Sequence, residues 1–174
     1  GIVVWFIGMP CAGKSTIADL VYDALKKENI KAERLDGDIL RSTITKDLGF
    51  SKEDRKENLM RAALIAKLMA RNSIIVLASF ITPYEEIRGR IREELQDSNF
   101  MQVYVKTSLE ECKKRDKKGM YQKAIEGKIK DFTGISDVFE EPKNSNLVLD
   151  TEKHSAKECA DMVLRKIKDI ANNC

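Results

Sequence analysis

The 174-residue chain predicts an α/β fold, a three-layer sandwich with a five-stranded parallel sheet between helices. Three observations predict it. Short, continuous, β-branched apolar runs alternate with helical patterns, as in strands buried on both faces. Helix-start signals stand ahead of several of the helical stretches. A glycine-rich loop ending in lysine joins the first strand to the first helix, at the strand ends where open α/β sheets bind ligands.

Ile2-Val3-Val4-Trp5-Phe6-Ile7 is the first strand. A helix follows, with Ile17, Leu20, Val21, Ala24 and Leu25 at i, i+3, i+4, i+7, i+8 spacing. Lys31 to Leu35 is a weaker strand, and a polar, loop-rich segment comes after it. Asn58 to Arg71 is helical and leads into Ile74 to Ala78, a second buried strand. Thr82-Pro83-Tyr84-Glu85 offers a cap, a proline at the first helical position and a glutamate to close a capping box. Ser108 with Glu111 and Ser155 with Glu158 repeat the box, and the strands Gln102 to Lys106 and Leu147 to Asp150 lie between these signals.

The length suits a single domain spanning 1–174. With 43% hydrophobic and 34% charged residues, the composition is that of an ordinary globular protein. No apolar run approaches the roughly 20 residues of a membrane span. The opening run is too short for a signal-peptide core, so the expected location is the cytoplasm, away from membranes. Cys11, Cys112, Cys159 and Cys174 form no C-x-x-C pair, which predicts reduced thiols and no zinc site. His154, the only histidine, reads as a solvated surface residue. Between Lys106 and Lys130, nine basic residues face four acidic ones. That surplus suits a phosphate-rich small substrate, and without interleaved aromatics it does not suit nucleic acid.

Gly8-Met9-Pro10-Cys11-Ala12-Gly13-Lys14-Ser15 matches G-x-x-x-x-G-K-[ST] at every position, and Thr16 continues it. Glycines let successive N–H groups turn inward onto phosphate oxygens, and the following helix adds its positive end. Lys14 neutralises the β- and γ-phosphates of ATP, and Ser15 supplies a hydroxyl to Mg²⁺. The predicted sandwich is thereby of the P-loop nucleoside-triphosphate-hydrolase type. Cys11 lies inside the loop, where backbone dipoles would lower its pKa and bound phosphates would oppose them; as a small residue it also fills the turn.

Further segments resemble the adenylylsulfate (APS) kinase family. They are Leu35-Asp36-Gly37-Asp38, Arg41, Asp47-Leu48-Gly49-Phe50-Ser51 on to Asn58, Ser79-Phe80-Ile81-Thr82-Pro83-Tyr84, Arg115 to Tyr121, and Phe132-Thr133-Gly134-Ile135. The similarity runs nearly end to end. It implies transfer of the γ-phosphate of Mg·ATP to the 3′-hydroxyl of APS, giving 3′-phospho-APS and ADP. Asp38 would approach the acceptor hydroxyl with Asp36 beside it, a carboxylate being able to accept the proton and align the oxygen. Both are also favoured helix caps. Arg41 and Arg55 would grip the phosphosulfate, Phe50 and Phe132 would stack on adenine, and Asn58 with the backbone near Ile81 and Thr82 would complete the pocket. The stretch 117–135 resembles a helical lid, with Lys118 bringing charge to the reacting groups. A homodimer and a functional link to ATP sulfurylase are further expectations.

The chain departs from the family pattern at Ile39, where asparagine is usual, at Ser42 to Thr45, which replace His-Gly-Leu-Asn, and at Thr82, which replaces serine. Two other readings stay open: a related kinase with a different nucleotide-linked acceptor, and a catalytically idle nucleotide-binding module.

Overall fold

β1 (Ile2–Ile7) is buried at all six positions and forms the centre of the sheet in a computed structural model that describes residues 1–172. Its neighbours are β3 (Ile75–Ser79) and β4 (Asn99–Lys106), with β2 (Ala32–Asp36) and β5 (Leu147–Asp150) at the edges. The order is β2-β3-β1-β4-β5, and every pairing is parallel. Alternate side chains of β1 serve opposite faces. Val4 and Phe6 pack with Ile17, Val21 and Leu25 of α1 (Lys14–Lys27) and with Val163 and Ile167 of α7 (Ala156–Asn172). Val3, Trp5 and Ile7 pack with Leu59, Ala62 and Ala66 of α3 (Lys52–Arg71) and Ile87 and Ile91 of α4 (Glu85–Glu94). Each fully buried aliphatic or aromatic side chain contributes roughly 1.5–3 kcal/mol, so the central strand is the most strongly held element. All five predicted strands are present: β1 and β5 keep the expected bounds, and the ends of the other three differ by at most three residues.

The polar segment after β2 is less loop-like than expected. It holds a short helix, α2 (Gly37–Ser42), and α3 begins at Lys52, six residues before Asn58. Asp36 caps α2 by accepting from the Asp38 N–H at 2.9 Å. Ser51 caps α3 by accepting from the Asp54 N–H at 3.1 Å, with Glu53 and Asp54 in the first turn. The cap at Asp36 agrees with the helix-cap reading of that residue, whereas polar composition hid the start of α3.

The cap expected at Thr82 is overturned. Thr82 has φ 47, and its Oγ1 accepts at 3.0 Å from Nε1–H of buried Trp5. α4 starts at Glu85 with no side-chain cap. Trp5 explains the outcome: an orphaned buried indole donor costs about 1–3 kcal/mol, more than a cap contributes. Ser108 caps α5 (Leu109–Arg115) by accepting from the Glu111 N–H, but Glu152 closes the box in place of Glu111 by accepting from the Ser108 N–H. Ser155 and Glu158 form the reciprocal box as expected.

α6 (Met120–Ile125) opens the connection to β5. Tyr121 meets Phe132 edge-on at 4.9 Å between ring centres. Among the described residues no helix is long and apolar enough to cross a membrane, and Cys11, Cys112 and Cys159 are free thiols. Cys174 lies outside the described residues.

Candidate active site

The β1–α1 turn wraps around the Lys14 ammonium, which donates to the carbonyls of Gly8 at 2.8 Å and Met9 at 2.7 Å. Burial pushes its pKa down to about 8. A Cβ on Gly8 would sit 2.6 Å from the Val105 carbonyl oxygen, so only glycine lets the loop pass β4. Gly13 takes φ 101 ahead of α1. Ala12 is anchored by its N–H to the Met9 carbonyl at 3.2 Å and by its carbonyl to the Thr107 hydroxyl. The Pro10 carbonyl accepts from Tyr121 Oη at 3.0 Å. Burial and nearby Asp116 raise the Cys11 pKa, against the lowering expected from loop dipoles, so the thiol stays protonated.

Two cavities meet at this loop and share Cys11, Lys14 and Arg115. The smaller, about 500 Å³, continues past Gly13, Ser15 and Thr16 to Thr151 and His154. Arg115 is fixed there by Glu111 at 3.0 Å and by the hydroxyl and carbonyl of Thr151. His154 is half-buried on this wall rather than free on the surface as expected. The larger cavity, about 710 Å³, holds every residue expected on the acceptor side.

Asp36 and Asp38 line the larger cavity, close enough to Lys14 to favour its charged form. Ser15 Oγ donates to Asp36 Oδ2 at 2.8 Å, and Arg34 lies 3.7 Å from the same oxygen. Asp38 is 90% exposed, with Lys118 Nζ 3.9 Å away. Beside them, the buried Ser79 hydroxyl has no hydrogen-bond partner and lines the same cleft, paired in register with Asp36. An orphaned hydroxyl, a second hydroxyl and a carboxylate together form an oxygen donor set of the kind a hard divalent cation takes. Sequence reading gave no site role to Ser79, Arg115, Thr151 or His154, although Ser79 and Arg115 open two of the family-like segments.

Deeper in the cleft, the Arg41 guanidinium covers the Phe50 ring at 4.3 Å and donates to the Gly49 carbonyl at 2.7 Å. Burial and the neighbouring Arg55 cation lower its pKa. Phe50 is 59% exposed and Phe132 7%, so one expected stacking ring stands out toward solvent under Arg41 and the other is set into the wall. Arg55 donates to the Phe50 carbonyl, to Thr133 Oγ1 at 3.1 Å and to the Asp131 carbonyl, clamping the far end of 117–135 to α3. Buried Asn58 accepts from Thr45 Oγ1. Ile81 accepts from the Gly8 N–H at 3.3 Å. Thr82 is 1% exposed, its hydroxyl engaged by Trp5.

A parallel sheet carrying a glycine-lysine phosphate loop at the end of its central strand, with a carboxylate-lined cleft beside it, defines a P-loop kinase. The family model described as adenylylsulphate kinase matches residues 1–150, and this chain belongs to that family. A probable adenylyl-sulfate kinase of Pseudomonas aeruginosa is 47% identical over 95% of this chain and 77% of its own length. An adenylyl-sulfate kinase of Halothermothrix orenii is 47% identical over 97% of this chain and 90% of its own. The APS kinase of Mycobacterium tuberculosis, solved with AMPPNP and APS, superposes with TM-score 0.94 at 40% identity, covering 97% of this chain and 98% of that one. A hexameric APS kinase of Thiobacillus denitrificans has TM-score 0.72 at 26% identity, with 97% of this chain covered and 29% of that one.

Proposed function

We propose that this chain transfers the γ-phosphate of ATP to the 3′-hydroxyl of APS. The observation that carries the reading is the meeting of the two cavities at Lys14, with the two aspartates of the larger one close to that ammonium. Each nucleotide would have its own chamber, with the Lys14 side chain lining both. In the smaller chamber the loop N–H groups and Lys14 hold the triphosphate, and Arg115 and His154 flank the rest of the donor. In the larger one Phe50 and Phe132 hold adenine, Asn58 bonds the acceptor nucleotide beside Ile81 and Thr82, and Arg41 and Arg55 take the phosphosulfate. Arg41 must leave the Phe50 face for a base to stack there, a motion its single bond to Gly49 permits.

Asp38 accepts the 3′-hydroxyl proton and aligns its oxygen. Its exposure keeps it free to turn toward either nucleotide, and Lys118 at 3.9 Å travels with it. Asp36 and Ser15 would hold Mg²⁺, and Ser79 would accept or donate to a water on it. The ion, when bound, supplies charge neutralisation to the transferring group. The stretch 117–135 is the lid that excludes competing water.

Ile39, Ser42, Thr43 and Ile44 do not line the larger cavity. Ile39 is 60% exposed, and both hydroxyls turn back to its own carbonyl. Four of the departures from the family pattern therefore leave the acceptor chamber unaltered. ADP release with Mg·ATP and APS tests the reading, against AMP-, GDP- and CDP-type acceptors. Turnover confined to APS, abolished by EDTA, is expected. Turnover of another acceptor with silence toward APS would move the function to a different kinase, and binding of both nucleotides without ADP formation would leave an idle module.

A further inference from the structure

Asn58 reaches the acceptor cleft from α3, and its carboxamide has two chemically different ends. One is already taken. Thr45 Oγ1 donates to Asn58 Oδ1 at 2.7 Å, with Thr45 at 0% and Asn58 at 4% exposure. Thr45 is itself pinned: its N–H donates to the Leu40 carbonyl at 2.9 Å, and its carbonyl accepts from the Leu48 N–H at 3.1 Å. A turn closed on both sides thus fixes where the hydroxyl sits. If the carboxamide were flipped, the hydroxyl would face an NH₂ group, and its own proton would be left buried without an acceptor.

We infer that Thr45 is a positioning residue for acceptor recognition. It holds Asn58 with Oδ1 turned into the protein, leaving Nδ2 as the group offered to the cleft. Asn58 therefore meets the acceptor nucleotide as a donor only. It selects a ligand with an unprotonated ring nitrogen or an oxygen lone pair at that point and rejects one with an N–H there, because two opposed donors would be left unpaired. The same bond ties the turn from Leu40 to Leu48, which contains Arg41 and precedes Phe50, to α3. Thr45 does not itself line the cleft, so it acts through Asn58.

The inference rests on the proposed acceptor chamber, and its test separates the two. Turnover of APS by the unaltered chain is measured first, and its absence would overturn the functional reading. Thr45→Val keeps the shape and removes the hydroxyl; Thr45→Ser keeps the hydroxyl. Thr45→Val is expected to raise KM for APS roughly tenfold, the size of one lost orienting hydrogen bond, with KM for ATP within about twofold. Thr45→Ser is expected to restore it. In an Asn58→Ala background, Thr45→Val should add nothing, because the group being positioned is gone. An unchanged KM for APS, an equal rise in both KM values, or a full additional loss in the Asn58→Ala background would each show that Thr45 only supports the fold. Melting temperatures of the same variants separate a global loss of stability from a change confined to the cleft.

Discussion

Asp38 shows how little a residue's own surroundings reveal of its role. It is exposed, its N–H serves the Asp36 cap, and a helix-terminal aspartate needs no further explanation. Its closeness to the Lys14 ammonium, which lines both chambers, is what distinguishes it. Asp38→Asn is expected to lower kcat by about 10²–10⁴-fold with ATP affinity retained; single-turnover ADP formation beside equilibrium ATP binding checks this. A loss under about threefold would reduce Asp38 to a cap. The phosphate-loop residues were legible in the sequence because their spacing is dictated by phosphate geometry. The hydroxyl of Thr82 was not legible, because its partner Trp5 lies 77 positions away. Ser79 was hidden for a related reason: an orphaned group is defined by what does not touch it.

At the scale of elements, strands and long helices were readable from apolar period, since burial on a face fixes that period. The polar stretch from Asp36 to Glu57 was not. Its helices are started by Asp36 and Ser51 rather than by an apolar stripe, and α3's outer half mixes charge with exposed Leu64 and Leu68. Ser51→Ala should therefore destabilise the chain by about 1 kcal/mol, read in urea melts, and weaken APS binding more than ATP binding, because α3 starts beside Phe50 and carries Arg55. α4 makes a second prediction. Burial alone would raise the Glu85 pKa, but hydrogen bonds from Arg92 and Arg88 outweigh it and hold the carboxyl below 4.5. A carboxyl depressed on folding contributes stability above its unfolded pKa and loses that contribution as pH falls through the lower folded value. Glu85→Gln should thus flatten the loss of stability between about pH 5 and 3, seen as converging urea midpoints of the two proteins in acid.

Across the whole molecule, the stretch 117–135 is held by Tyr121 to the Pro10 carbonyl and by Arg55 to Thr133 and Asp131, and just beyond it Tyr84 Oη donates to Asp137 at 2.6 Å. Tyr121→Phe is expected to raise protease cutting within 117–135 severalfold while leaving the sheet intact by circular dichroism, and bound ATP should restore protection. The sheet order carries a consequence of another kind. β1 finds its partners only at Ile75–Ser79 and Asn99–Lys106, so it cannot pair before β3 has been made and cannot fill both of its edges before β4 has. Distant pairing of this sort is slow, because closing the intervening loops costs entropy before any contact repays it. The phosphate loop, although it directly follows β1, is therefore among the late features to take shape. Nascent chains ending before β4 should show no ATP-dependent protection, whereas chains extended past Lys106 should gain it, which makes nucleotide binding a report on how far synthesis has gone.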